Sequence, residues 1–102
     1  MAKDRLTLHS ELKTILGSSN VYFQPPASLI MKYPCIIYKR DADEAIYADD
    51  IKYSVMKRYL VTVVDRDPDS LVPDKVSKLP YCKAQKPYTV DGLNHFVYVL
   101  YY

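Results

Sequence analysis

Apolar residues recur at helical spacing near the start of the chain. Four of them follow an i, i+4, i+7, i+8 pattern within residues 3–16: Leu8, Leu12, Ile15 and Leu16. This spacing predicts an amphipathic helix. Gly17 follows directly and suits the left-handed residue that closes a helix, so we expect the helix to end near residue 16.

Later segments are rich in β-branched and aromatic residues, which is typical of strands. They are residues 21–24, 34–40, 53–65, 86–90 and 95–102, the last two joined by a turn at Asp91-Gly92. A charged loop, residues 41–52, separates the second and third segments. A short second helix is predicted from Leu71, Val72, Val76 and Leu79, and Pro80 ends it.

The order of these elements is helix, three strands, helix, two strands. Runs of consecutive strands between helices indicate an α+β domain. We therefore predict a mostly antiparallel sheet of about five strands with two helices packed on one face, and a single domain over residues 1–102.

Both faces of the last strand are apolar. Phe96, Tyr98, Leu100 and Tyr102 point one way, and Val97, Val99 and Tyr101 point the other way. A sheet covered by helices on one face normally carries polar residues on its other face. The second face is therefore expected to be covered, either by the sheet curling on itself or by another subunit.

Charge and composition narrow the classes of function. Fourteen Lys and Arg against twelve Asp and Glu give a net charge of +2, which argues against a dedicated nucleic-acid binder. No apolar run approaches the roughly 20 residues of a membrane span, and the polar start predicts no secretory signal. The interpretation is a folded protein with no membrane partner.

The chain lacks the motifs of catalysis and cofactor binding. Two glycines exclude a glycine-rich phosphate loop, and no nucleophile elbow, HExxH or paired CxxC occurs. We expect no enzyme activity, no metal and no cofactor. His9 is expected to be solvated, His95 to form a turn or strand-end hydrogen bond, and Cys35 and Cys82 to be free, buried thiols.

Four phrases carry a resemblance to a known family. They are VYFQPP (21–26), KYPCIIY (32–38), YLVTVVDRDPDS (59–70) and GLNHFVYVLYY (92–102). In this order and length they resemble the small head-to-tail joining and tail-terminator proteins of long-tailed bacteriophages. The resemblance implies an α+β subunit of a virion ring, commonly hexameric, assembled in the cytoplasm of the bacterial host. Such a ring caps the tail tube and docks it to the head connector or head-closure protein.

Residues for subunit or partner contacts are predicted in the charged loop and on the last strand. They are Tyr47, Asp49, Asp50, Tyr98, Tyr101 and Tyr102. The alternative for the terminal tyrosines is that they complete the core. If DNA passes through the ring, Asp41, Asp43 and Glu44 are candidates for an acidic lumen along which it slides.

A second class of function stays open on the sequence alone. In a small nucleic-acid-binding module, aromatic strand residues would stack on bases. The cations that would follow the backbone are Lys57, Arg58, Lys83 and Lys86.

Overall fold

The computed structural model describes residues 4–48 and 51–102, and the side chains of these except at 42–56. Two helices and six strands follow one another in the described chain. They are α1 (Arg5–Leu16), β1 (Val21–Phe23), β2 (Cys35–Ala48), β3 (Ile51–Asp65), α2 (Val72–Ser77), β4 (Cys82–Ala84), β5 (Tyr88–Val90) and β6 (Leu93–Tyr101). The predicted α+β class is confirmed.

The strands form one mixed sheet in the order β1-β2-β3-β6-β4, with β5 also paired to β6. The β1–β2 pair is parallel and the other pairs are antiparallel. The parallel pair arises because residues 24–34 carry the chain back to the start of β2 beside β1. The short first strand lies at an edge of the sheet, which suits its length and the following Pro25-Pro26.

Both ends of α1 are closed, and the glycine at its C-terminal end is the one that the sequence predicted. The Asp4 carboxylate accepts a hydrogen bond from the Leu6 backbone N–H at 3.2 Å, and Gly17 takes a left-handed φ of 81° while its N–H donates to Lys13 O. Leu8 and Leu12 are fully buried. The caps fix where the helix begins and ends. The two leucines fix the face that packs on the sheet.

The main core lies on one face of the sheet, under both helices, while Cys35, Val64 and Val99 are buried on the other face. Strand residues two apart supply it, together with Leu8 and Leu12 of α1 and Val76 of α2. The strand residues are Val21, Ile36, Tyr38, Tyr59, Val61, Val63, Tyr98 and Leu100, and Tyr102 continues the series just beyond β6. The pairings Ile36↔Val63, Val61↔Tyr98 and Tyr59↔Leu100 bring them into adjacent rows.

The predicted charged loop at residues 41–52 is wrong for most of its length. Strand β2 runs on to Ala48 and β3 begins at Ile51, with pairing as far as Ala48↔Ile51. The strand from Tyr53 onward was predicted, so the loop prediction misassigned residues 41–48 of β2 and Ile51-Lys52 of β3.

This extension of β2 and β3, residues 41–58, is here called the ribbon. Within the described residues, its outer part at 43–48 and 51–56 pairs only with itself, because β6 joins β3 from Arg58 onwards. Eight residues of strand span about 25 Å. The overall dimensions of 48 × 23 × 23 Å fit a body about 23 Å across with the ribbon extending from it.

Strands β4 and β5 form one interrupted edge strand along β6. Cys82 pairs with Leu100 and Tyr88 with His95, a register offset of one residue between the two pieces. The break contains Pro87, which has no N–H to donate. The turn at Asp91-Gly92 has φ of 52° and 74°, as a tight antiparallel hairpin requires, and confirms the predicted turn. The β4 piece was not predicted from sequence.

Candidate interaction surface

The sheet face opposite the helices carries a row of four side chains across four strands. Strand register aligns Lys39 with Leu60, Leu60 with Val99, and Val99 with Lys83. Directly paired residues of a sheet point to the same face. The row therefore has an apolar centre and a lysine at each end.

The next row is also apolar. Ile37, Thr62 and Val97 are paired in register and are all half-exposed, as is Leu60. We call the two rows together the open face: Ile37, Lys39, Leu60, Thr62, Lys83, Val97 and Val99, of which Val99 is buried. Both helices pack on the other side of the sheet, so the sequence prediction of a second apolar face corresponds to this surface.

The two lysines of the open face are exposed. Neither side chain has a hydrogen bond or an ion pair with any part of the chain that the structure describes. An apolar strip with an exposed cation at each margin can receive an apolar segment that carries acids.

A third row lies where the ribbon leaves the body. Arg58 Nε is 3.1 Å from Asp41 Oδ2, and the Arg58 guanidinium lies 6.0 Å from the centre of the Tyr101 ring. The register shift between Arg40 and Asp43 places two residues of β2 opposite Arg58, which is a β-bulge. Asp41, one of the predicted lumen acids, is thus paired with a cation at the base of the ribbon.

The three terminal tyrosines separate by face. Tyr98 and Tyr102 are 7% and 5% exposed within the core, and the Tyr98 hydroxyl donates to Pro73 O at 3.1 Å. Burial, followed by the Glu11 carboxylate, raises the pKa of Tyr102 to about 12. These two side chains complete the core, as the alternative interpretation had it, and Tyr101 alone of the three lies on the opposite face.

The other predicted contact residues belong to the ribbon. Asp49 and Asp50 lie outside the described residues. Tyr47, Asp43 and Glu44 lie on described backbone of β2, and their side chains lie outside the description. Their contact and lumen roles stay predictions.

Both edges of the sheet are poor templates for pairing with another chain. On one side β1 has three residues and is followed by two prolines, and on the other β4 and β5 are interrupted near Pro87. Short, proline-bearing edges discourage edge-to-edge association. The open face and the ribbon are therefore the better candidates for contact.

Comparison of the chain with protein families, curated proteins and solved structures finds no match. Within the described residues, no group of three or more His, Cys, Asp or Glu side chains is placed to hold a metal ion. Neither described helix has the length and apolar character needed to cross a membrane.

His9, which was predicted to be solvated, is half-exposed and also contacts the sheet. Its Nδ1 lies 2.6 Å from the Tyr38 hydroxyl, which also accepts from Arg5 Nη1 at 3.2 Å. Because arginine can only donate, the Tyr38 hydroxyl oxygen accepts from Arg5. The hydrogen of that hydroxyl remains available to a neutral His9 ring. No signal in the sequence identifies this contact, because Tyr38 lies 29 residues away on β2.

His95 behaves as predicted at the start of β6. Its Nδ1 lies 3.2 Å from the Leu93 carbonyl oxygen and therefore donates to it. The ring stacks on Tyr88, with centroids 4.5 Å apart and planes 13° from parallel. The contacts fix the closing hairpin.

Proposed function

We propose that this chain is a structural subunit of a closed ring that terminates a bacteriophage tail tube and joins it to the head connector. Three features support the proposal. They are the resemblance of the four sequence phrases, the ribbon that extends from the body, and the open face with its exposed lysines.

The ribbon is the observation that carries the proposal. Within the described residues, the pair of strands at 43–48 and 51–56 leaves the body and pairs only with itself. Such a projection gains stabilisation by packing on another molecule. A body with one projection and one separate receiving face makes head-to-tail contacts, and these close into rings when the rotation allows.

Passage of DNA through the ring belongs to the same proposal. Acids that line a lumen would repel phosphates and let the duplex slide. Asp43 and Glu44 are the remaining candidates, since Asp41 is paired with Arg58. Reversing lumen charges would slow DNA ejection and leave the mass of the ring unchanged.

The test of the proposal is the native mass by light scattering over a concentration series, with negative-stain images of the same fractions. We expect a closed ring, about 71 kDa for six copies of 11.8 kDa. If the protein alone is monomeric, purified tails that lack a terminator are added. A chain that neither forms rings nor binds these tails is not a tail-terminating subunit.

One placement favours a second candidate, a sheet that binds single-stranded nucleic acid. Arg58, Lys83 and Tyr101 share one side of the sheet, whereas Lys57 lies at a position of the opposite face and Lys86 lies in the break between β4 and β5. Salt-sensitive binding of a labelled oligonucleotide at physiological ionic strength would support this candidate. No binding by the monomer or the ring would remove it.

A further inference from the structure

We propose that single-stranded DNA binds across the open face, with bases stacked on aromatic rings at the two ends of the face and phosphates at Lys39 and Lys83. This rests on the second candidate of the proposed function and names its nucleic acid and the side chains that hold it. The open face has to be uncovered by a neighbouring copy for this binding.

A pair of stacked rings lies at one end of the open face. Tyr88 pairs with His95, and His95 with Val64, in the row next to that of Thr62 and Val97. The Tyr88 ring lies 4.5 Å from the imidazole with the planes 13° apart, and the residue is 50% exposed. Exposed ring surface of this kind is a platform for an unpaired base.

The opposite end of the open face also carries rings. Tyr101 pairs with Arg58, and the guanidinium lies 6.0 Å from the ring centre. The Tyr101 N–H donates to the Tyr81 carbonyl at 3.1 Å, so a tyrosine that is 68% exposed adjoins this end. From His95 to Tyr101 the strand covers about 20 Å, which suits a short site of about four nucleotides.

These rows are positively charged, whereas the whole chain has 14 Lys and Arg against 12 Asp and Glu. The charged side chains that the structure describes in the open face and in the row at each end of it are Lys39, Arg58, Lys83 and Asp41. The single acid of this set is 3.1 Å from Arg58. The next acids along the strands, Asp65 and Asp91, lie beyond the Tyr88–His95 pair.

Two cations of the face are therefore placed for phosphates. Lys39 and Lys83 are exposed and have no ion pair in the part of the chain that the structure describes. They lie three strand spacings apart, about 14 Å, on either side of the apolar strip. A strand that crosses the face passes between them, and each lysine can neutralise one phosphate.

The middle of the open face favours deoxyribose. Ile37, Leu60 and Val97 are half-exposed and have no polar side-chain atom, and Thr62 supplies a single hydroxyl. The 2′-hydroxyls of RNA would lie there with too few partners, whereas the methyl groups of thymine gain apolar contacts. A duplex keeps its bases stacked on one another, so it has no base face to place on the rings.

An acidic peptide fits this surface less well than a single strand. Its carboxylates would meet the two lysines, but it would gain little from the flat rings at the two ends. Rings that stack with bases, together with cations that follow the backbone, are the combination by which proteins bind single strands.

The probe is a labelled oligothymidylate of about 12 nucleotides, whose fluorescence anisotropy is measured at several salt concentrations. Oligouridylate and duplex DNA of the same length, and poly-glutamate, are the comparison ligands. The cation variant carries Lys39→Gln and Lys83→Gln. Its matched control carries Lys75→Gln and Lys78→Gln, which are exposed positions at α2 on the other side of the sheet.

The ring variants carry Tyr88→Leu and Tyr101→Leu. Their matched controls are Tyr88→Phe and Tyr101→Phe, which keep the ring and remove the hydroxyl. Circular dichroism confirms folding, and the single variant Tyr88→Leu, at an exposed position, replaces a double variant that does not fold.

We expect the wild type to bind oligothymidylate more tightly than the comparison ligands. The slope of log K against log salt becomes shallower by about 1.4 in the cation variant, because each phosphate contact of a single strand contributes about 0.7. Each tyrosine replaced by leucine weakens binding about tenfold. The phenylalanine variants and the Lys75 and Lys78 control bind like the wild type.

Absence of oligothymidylate binding at low salt overturns the inference, as does an equal loss in the two lysine variants. Phenylalanine variants that lose as much as the leucine variants show that the rings do not stack on bases. Tighter binding of oligouridylate assigns the face to RNA, and tighter binding of poly-glutamate assigns it to an acidic peptide.

The native mass without DNA tests the ring separately. Rings that bind no DNA, formed by a chain whose monomer also binds none, overturn this inference alone. A DNA-binding monomer that forms no ring, either alone or with purified tails, overturns the ring alone.

Discussion

A tyrosine hydroxyl joins the first helix to the sheet. The Tyr38 hydroxyl shares a hydrogen bond with His9 and accepts one from Arg5, and its ring packs against Phe23 with centroids 4.9 Å apart. The Arg5 guanidinium lies 4.2 Å from the Phe23 ring centre. Hydrogen bonds and ring contacts thereby fix α1 over the parallel β1–β2 pair.

The stability of the protein should decrease in mild acid because of His9. Burial, then the charges of Lys13 and Arg5, lower the pKa of His9 below its ordinary value of 6.5. The unfolded chain thus binds a proton more readily than the folded chain. The free energy of unfolding is at its full value above pH 6.5 and falls as the pH drops through and below 6.5.

Urea unfolding at several pH values from 8 to 5 measures this effect. The variant His9→Gln should show a flatter profile across pH 6.5, with His95→Gln as the matched control. Equal slopes for His9→Gln and the wild type would contradict the assignment. Tyr38→Phe should lose about 1 kcal/mol at pH 8, the usual contribution of one hydrogen bond.

The two thiols should react with alkylating reagents at different rates. Cys35 is fully buried, and burial followed by the charge of Asp65 raises its pKa to about 11. Burial also raises the pKa of the half-buried Cys82. Since the thiolate is the reactive form, iodoacetamide at pH 8 should label the native protein at Cys82 before Cys35, and both when it is unfolded. Mass spectrometry locates the label, and faster labelling of Cys35 would contradict its burial.

For single residues, the sequence predicted those properties that depend on residues close by in the chain. The turn glycine Gly92 and the strand-end hydrogen bond of His95 are local. The roles of His9, Tyr98 and Tyr102 depend on partners that the fold brings from other elements, and the sequence alone left them open or misplaced.

Among the elements, α1 depends on its closing glycine. Gly17 has a φ of 81°, and a Cβ added there would meet nothing within 4 Å. Gly17→Ala should therefore lower the free energy of unfolding by about 1 kcal/mol through backbone strain alone. Gly17→Asn should lose less, because asparagine tolerates the left-handed conformation. Chemical denaturation measures both, and equal losses would point to another cause.

Strands were predicted well where apolar residues dominate and poorly where charge intervenes. The 14-residue β2 was predicted only up to Arg40, since acids from Asp41 onward are typical of loops. The three-residue β4 was missed because Cys82-Lys83-Ala84 is too short for a pattern. Both segments become strands because they pair with a longer strand. A short stretch of sequence does not show that pairing.

For the whole molecule, the ribbon should be dispensable for folding and necessary for assembly. Replacing residues 43–56 by a short Asn-Gly turn keeps every described pairing between β3 and β6. We expect a variant with native-like circular dichroism and cooperative unfolding that stays monomeric in light scattering. A folded variant that still forms rings would show that subunits meet through the body.

The fold class followed from the order of elements, because an amphipathic helix, consecutive strands and a closing hairpin leave few arrangements. The open face was predicted in part, because the sequence showed apolar residues on both sides of β6. The sequence did not predict that Lys39, Leu60, Val99 and Lys83 form one row, because this alignment depends on the register of three strand pairs.

The bulge opposite Arg58 marks the place where the ribbon leaves the body. The length of the ribbon can therefore change without a change in the body. Lengthening both of its strands by one residue would turn every side chain beyond the insertion to the other side. Lengthening both by two residues would keep the sides and move the tip by about 7 Å. The ribbon can therefore lengthen only in steps of about 7 Å if its side chains are to keep their sides. A ring built on the ribbon can change the distance between its subunits only in these steps.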